Sequence, residues 1–519
     1  MFKKLLPFIL LLLFQVVKSQ DEFITIWKPN SPNQYPLLGP TMPNAAGANQ
    51  IWFPGIGNNY TISWEEVNYP QHNGAMTNVT STDRILIDFG TPLNPNPADA
   101  TFKVKVINGN GAFNQIKFGQ NIIQPSPFMD IVVPKTSGSA DKITEIAQWG
   151  NIQWTSMNNA FAQCFFIQIT ATDSPDLSTA TDASLMFYNT FNFTGSISMA
   201  NWDTSSLKNF KHIFALGAHP LGAQNSTFNP PIGSWDMSSA EDISYMFMKR
   251  KTFNQNLNSW NTSKVTNMSY TFAEAILFNQ PLNNWDTSKV TNMSYMFHYD
   301  PNFNQPLDNW NTSSVTNMGH MFHGDINFNQ YLGSWDVSKV TEMNTMFQGA
   351  TGFNQSLEKW NLNALYSANN MISLTGIDCN NYSRTLFKWA NNPNTPNNIL
   401  LQDVTPLQYS LTVNNERNIL ISKGWIITGD TGTECEFLGV SENNLKDLLS
   451  IYPNPATDFI YVKNSKDVKS YIISDLSGRI IMKDSLSKDE INIRSLATGN
   501  YILQIIAKDK IHSFKFIKR

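Results

Sequence analysis

The sequence predicts a mixed-β chain with short helices: a solenoid of 25-residue repeats between an N-terminal β-region and a C-terminal β-domain. Three observations lead to this reading. Trp235, Trp260, Trp285, Trp310, Trp335 and Trp360 follow one another at a fixed step of 25 residues. The flanks instead carry short alternating runs, such as "TFKVKVI" and "FIYVKN", divided by Gly, Pro, Ser and Asn joints. Hydrophobic residues make up 41% of the chain and its aromatics are regularly spaced, which excludes a disordered polymer.

The N-terminus reads as an export signal. Lys3 and Lys4 precede the apolar run Leu5–Val17, and "VKSQ" places a cleavage point near Ser19/Gln20, making residues 1–19 a signal peptide. The run is shorter than the ~20 residues that span a bilayer. No cysteine follows it to accept a lipid, so the mature chain is expected to be exported without membrane insertion. The balance of 36 Lys plus Arg against 40 Asp plus Glu gives a net charge of −4. That lacks the basic footprint of a nucleic-acid binder, so no nucleic-acid partner is expected.

Residues 20–142 form the N-terminal β-rich region, with strands expected at "QIWFPG", "YTISWEEV", "RILIDFG", "TFKVKVI", "NQIKFG" and "MDIVVP". The repeats occupy residues 143–373. Phe272, Phe297, Phe322 and Phe347 keep the same step as the tryptophans, as do Val265, Val290, Val315 and Val340. The consensus is W-[DN]-x-S-x-V-T-x-M-x-x-M-F, five variable residues, then F-N-Q-x-L-x-x-W. Degenerate copies lie upstream, and a step of 33 residues from Trp202 to Trp235 implies an insertion within "ALGAHPLGAQNST".

A unit this small buries a core only by stacking on its neighbours. Val290, Met293, Met296 and Phe297 fall at i, i+3, i+6 and i+7, the spacing of one face of a short helix. Ser288 stands where it would cap that helix. Thr271 replaces Met296 in the preceding copy, which puts that position at the edge of the buried face. The Leu-x-x-Trp half reads as the short strand and turn that stack from unit to unit. The residue after each tryptophan is only Asp or Asn: Asp203, Asp236, Asn261, Asp286, Asn311, Asp336 and Asn361. A side-chain oxygen there closes a turn on backbone N–H groups. A calcium ladder would need a strict run of carboxylates, which the asparagines interrupt.

Residues 374–436 are read as a cap on the last unit, helical at Tyr382–Ala390, with strands and a turn in Tyr409–Gly432. An uncovered solenoid end is an open sheet edge. Three cysteines leave two arrangements open: a Cys379–Cys435 bridge, or three separate thiols with Cys164 buried.

No catalytic or cofactor-binding set emerges, and no enzyme activity is expected. There is no G-x-S-x-G and no H-E-x-x-H. Glu65 and Glu66 are adjacent, so a strand points them to opposite faces. No metal site is expected either. The one candidate set is His298 and Asp300 with His323 and Asp325, equivalent positions on adjacent units, with His320 nearby. The flanking units carry Ala273 and Ala275, then Gln348 and Ala350, at the same places.

"FNQPLNNWDTSKVTNMSYMF" (Phe278–Phe297) resembles the 25-residue mycoplasma-lipoprotein-type repeats of bacterial surface proteins, relatives of the BspA-like leucine-rich-repeat proteins. The likeness runs from about Thr144 to Ser373. It implies a curved, right-handed, leucine-rich-like solenoid displayed on a cell surface or released from it, and it names no ligand. A second resemblance covers residues 437–519. Tyr452, Pro453, Asn454 and Pro455, then Asp475, Gly478, Leu496, Gly499 and Tyr501, are similar to the type A C-terminal sorting domain of the type IX secretion system. It implies a seven-stranded Ig-like β-sandwich, the secretion machinery as partner, a Bacteroidetes-type bacterium, and a secreted or outer-surface location.

The function expected from the whole is a secreted or cell-surface binding or adhesion protein that displays its solenoid to a protein or glycan ligand. The alternatives are a structural spacer without a specific ligand, or an enzyme with its site in the N-terminal β-region. The sequence leaves open the ligand, release against attachment, and oligomeric state.

Overall fold

The computed structural model describes residues 21–30, 46–120, 122–124, 131–133, 138–217, 227–435, 437, 450–463, 465, 468–476, 478–486, 489–507 and 510–519. The expected signal segment 1–19, most of the expected insertion (218–226) and the stretch 438–449 lie outside the described residues. These residues are mostly β with few short helices. Contacts divide the chain into two units, Met1–Phe437 and Leu438–Arg519.

The first unit opens on a sheet ordered Gln168–Ile169, Ile143–Gln148, Phe23–Trp27, Phe102–Ile107, Gly55–Glu66 and Tyr69–Ser81, with Ala112–Ile116 also paired to Gly55–Glu66. Strict alternation builds it: in "FITIW" Phe23 and Trp27 are buried, and Phe23 packs on the Trp149 and Trp154 rings. Tyr69–Ser81 escapes sequence reading because its side chains are mostly exposed and polar. The sheet hands over to the repeats where Ile143–Gln148 pairs in parallel with Gln168–Ile169.

Each repeat is one coil, and the coils are joined by parallel bridges. Asn267, Asn292, Asn317, Glu342 and Ser367 pair in turn, one from each coil. The helix expected at Val290–Phe297 is instead a run of turns. Its N–H groups alternate between two destinations. Met293, Tyr295, Phe297 and Tyr299 donate to Asn317, Gly319, Met321 and His323 of the next coil at 2.8–3.0 Å. Met296, His298 and Asp300 close turns within their own coil, on the carbonyls of Met293, Tyr295 and Phe297. Tyr270, Tyr295 and His320 adopt left-handed φ of 58°, 57° and 58°, which no α-helix contains. Successive turns repeat side-chain direction every third or fourth residue as a helix does, so Val290, Met293, Met296 and Phe297 are still all buried.

Two local expectations change with it. Ser288 has no helix to cap; its N–H is held by Asp286 Oδ1 at 3.0 Å. The Met296 position is fully interior, and at Thr271 the hydroxyl donates to the Met268 carbonyl at 2.7 Å. The Asp/Asn after each tryptophan does close a turn: Asp203, Asp236, Asn261, Asp286, Asn311 and Asp336 each accept the N–H two residues on. In the last copy the Asn361 Oδ1 has no partner among the described residues.

Side chains then tie coil to coil. The indole N–H groups of Trp260, Trp285, Trp310, Trp335 and Trp360 donate to the carbonyls of Ile232, Leu257, Leu282, Leu307 and Leu332 on the preceding coil, at 2.9–3.1 Å. This is why the position is tryptophan and not merely large. Asn279, Asn304, Asn329 and Asn354 form a ladder in which each N–H meets the amide oxygen of the asparagine one coil back. Inside, Phe272, Phe297, Phe322 and Phe347 stack at 5.6–5.7 Å. A second stack, from His212 through Tyr245, Tyr270 and Tyr295 to His320, has ring centroids 4.1–4.4 Å apart.

The cap begins with the helix Cys379–Asn391, whose N-terminus is held by Asp378. Asp378 N–H continues the asparagine ladder to Asn354 Oδ1 at 2.9 Å, and the Asn381 side-chain amide donates to the same oxygen at 2.9 Å. Within Tyr409–Gly432 the expected strands form in part, at Gln408–Ser410, Ile426–Ile427 and Thr431–Thr433, but Asn414–Ser422 between them is helical. Its apolar "NILIS" suits a strand by composition, but Gly424, at φ 83°, ends a helix by a Schellman arrangement. Gly424 N–H bonds the Ile421 carbonyl and Trp425 N–H bonds that of Leu420. Of the two cysteine arrangements, Cys379 and Cys435 form the disulfide and Cys164 is a buried free thiol.

Among the described residues of the second unit, seven strands form two antiparallel sheets. One orders Ser450–Tyr452, Phe459–Lys463 and Glu490–Asn492; the other orders Ile480–Ser485, Val468–Asp475, Gly499–Ala507 and Lys510–Lys518. Their core includes Ile460, Ile473, Ile491, Leu503 and Phe516. Asn454 clamps the last strand by donating to the Lys515 carbonyl and accepting the Ile517 N–H. The Gly478 turn, at φ 87°, joins two strands, and the Tyr501 hydroxyl donates to the Ala497 carbonyl beside Gly499. Tyr452 stacks on Tyr461.

Trp310→Phe keeps an aromatic ring but removes one of two donors from the Leu282 carbonyl, which retains the Trp285 N–H. It is expected to cost about 1–2 kcal/mol in denaturant unfolding; an unchanged midpoint would show that the indole bonds do not hold the coils. A pH effect follows from His212. Burial, then the Lys211 charge, pushes its pKa from 6.5 down to about 3. With the folded pKa depressed, the contribution to stability is full above about pH 6.5 and is lost as pH falls toward 3. His212→Phe, which keeps the stack on Tyr245, should therefore flatten the decline in melting temperature over that range.

Candidate functional site

The five variable residues of each repeat lie in the loop between its two phenylalanines: 273–277, 298–302 and 323–327 in three successive coils. The turns and ladders fix the loop ends and leave the loop residues at one corner. Leu277, Tyr299 and Ile326 are there, each 49% exposed. Tyr299 lies across Gly324, where a Cβ would come within 2.4 Å of the ring, so only glycine admits this contact. The Tyr299 ring centroid is 4.4 Å from that of His298 and 4.9 Å from that of His323.

Beside Tyr299 the structure assembles three imidazoles. His298, His320 and His323 each offer a ring nitrogen, and these atoms all lie within 4.8 Å of one another. His320 enters the set because it replaces the tyrosine of the stack, with its ring on Tyr295 at 4.1 Å. The Nδ1 atoms of His298 and His323 are buried and have no partner among the described residues. Burial, then the neighbouring imidazoles, drives His298 down to about 3; the same causes take His320 to about 4, and burial lowers His323 as well.

The four-residue set expected from the sequence therefore changes membership. His298 and His323 come together as expected. Asp300 and Asp325 turn into the interior, both fully buried, and stand outside the imidazole group. They interact with each other's segment: Asp300 N–H donates to Asp325 Oδ1 at 2.8 Å. Burial raises both carboxyls well above their ordinary range, and the Asp325 carboxyl raises Asp300 further. The parting is one of burial: Asp300 and Asp325 are buried, while His298 and His323, two residues before them, are only partly so. The tyrosine column was missed in the sequence, although Tyr245, Tyr270 and Tyr295 keep the 25-residue step two places before each phenylalanine.

Glu65 and Glu66 are both engaged elsewhere. Glu65 pairs with Lys103 and Lys105 at 3.2 Å, while buried Glu66 accepts the N–H groups of Leu93 and Asn94 and contacts His72. Among the described residues no helix is long and apolar enough to cross a membrane.

Comparison with known families matches the repeats and the C-terminal unit. The model described as "Mycoplasma protein of unknown function, DUF285" matches residues 155–285 and 266–389. The one described as "Secretion system C-terminal sorting domain" matches residues 450–519. No curated protein matches the chain. The sorting domain implies engagement with the type IX secretion machinery and a secreted or cell-surface destination. The chain thus carries DUF285 repeats of the BspA-like kind, followed by a type IX secretion C-terminal sorting domain.

Proposed function

We propose that this protein is a non-enzymatic binding or adhesion protein of the cell exterior, recognising a protein or glycan on another surface. In this reading the coils form a right-handed leucine-rich-like solenoid, and the C-terminal unit is an Ig-like sandwich that serves export. The observation that carries it is the corner built from variable loops. Leu277, Tyr299 and Ile326 are half exposed on three consecutive coils whose tryptophans, ladder asparagines and phenylalanines are tied to neighbouring coils. A half-exposed tyrosine with neighbouring apolar and imidazole groups, on a rigid support, has the makings of a recognition hot spot. A spacer would need no such corner, because repeats that only set length can carry any polar residue there.

The test is binding of the full chain, in chelator, to arrays of glycans and of surface proteins. A saturable partner is expected. Tyr299→Ala combined with Ile326→Ser should weaken it at least 10-fold with the melting temperature unchanged, since both side chains are half exposed. A stable protein that binds nothing across such arrays would reassign the chain as a spacer.

A further inference from the structure

The imidazole group has the composition and spacing of a metal centre. Its three donors come from two adjacent coils, His298 from one and His320 and His323 from the next. The ring centroids are 4.9 Å apart for His298–His323, 5.7 Å for His320–His323 and 6.2 Å for His298–His320. Three nitrogens on a tetrahedral ion at about 2.0–2.1 Å stand about 3.3 Å from one another. The present separations, up to 4.8 Å, close to that by ring movements of about 1 Å at side chains that are all only partly buried.

His320 is already oriented for this role. The Thr345 hydroxyl donates to the Asn344 carbonyl at 2.8 Å, so its oxygen accepts from His320 Nδ1–H, with which it is in contact. The proton is thereby held on Nδ1, and Nε2 keeps its lone pair, as in an imidazole tuned by an outer hydrogen bond for a metal. The other two rings bring partnerless Nδ1 atoms. Neutral imidazole is the form that ligates. Gathering three such rings without a shared donor leaves lone pairs unsatisfied, which one cation would relieve.

We propose that His298, His320 and His323 bind one divalent transition-metal ion of the zinc class, with the fourth position left for water or a group of a bound ligand. Three neutral nitrogens without a carboxylate favour zinc, cobalt, nickel or copper over calcium or magnesium. The buried Asp300 and Asp325 take no part. This assignment stands apart from the recognition role, which is assayed in chelator.

The chelator-treated full chain would be titrated with Co²⁺, followed by visible absorption and calorimetry, and then with Zn²⁺ in competition. One equivalent of Co²⁺ with the intense bands of a tetrahedral site, displaced by Zn²⁺ and not by Ca²⁺, is expected. His320→Phe retains a ring on Tyr295 and should weaken binding at least 100-fold, as should His323→Gln. Thr345→Val removes only the orienting bond and should weaken it roughly 10-fold. Absence of one-equivalent binding would overturn the proposal. So would unchanged affinity in either histidine variant, each shown to be folded by its melting curve in chelator.

Discussion

Everything in the repeat array depends on backbone groups that no coil can satisfy alone. In the coil from Trp285, the N–H groups of Met293, Tyr295, Phe297 and Tyr299 find their acceptors only one coil further on. A helix would have spent those donors internally and left its neighbours to side-chain packing. Here the main chain itself is shared, and every coil is both donor and acceptor. The constraint extends outward: an indole bond, an asparagine ladder and two aromatic stacks all reuse the same translation between coils. It also dictates that the ends be closed. At one end the array is continued by the sheet through Ile143–Gln148, and at the other by Asn381 on the helix Cys379–Asn391.

How far this was legible depends on what kind of information each residue carries. The period, the inward side chains and the Asp/Asn turns could be read because they repeat at one step and have a one-residue physical cause. The backbone path of Val290–Phe297 could not, because apolar spacing of three and four residues is common to a helix and to overlapping turns. What separates them is the left-handed φ at Tyr295, and tyrosine gives no sign of it. The Asn414–Ser422 helix was missed for a related reason: its isoleucines suit either state, and Gly424 decides. At the candidate site, His298 and His323 could be paired by their equivalence. The side to which each loop residue points was set by the turns, and that exchanged the aspartates for His320.

The two coils that carry the imidazoles are also those that break the interior rule. The column holding Asp300 and Asp325 has Ala275 and Ala350 on either side of the pair, a choice that costs nothing. Further along the same column Arg250 is buried, but its guanidinium is satisfied by the carbonyls of Phe214 and Thr190. Both Asp300 oxygens lack a partner among the described residues, and burial raises the carboxyl well above its ordinary range. Local violations of this kind are tolerated where surrounding structure over-determines the fold, and they concentrate at sites with a use.

That concentration bears on how such a chain would acquire the recognition proposed for it. The residues that join coil to coil, Trp310, Asn304 and Phe297 among them, cannot vary without unpairing a neighbour. The exposed positions of the loop 298–302 can, since the ends of the loop are fixed by the main chain and an exposed side chain is not part of the packed interior. Specificity can then be written in the loops of two or three consecutive coils while the supporting backbone stays the same. A rigid frame also holds those side chains in place before a ligand arrives, so little ordering cost remains to be met on binding. In the proposed recognition role, the corner around Tyr299 is therefore the part of the array where a change of partner would require no change of fold.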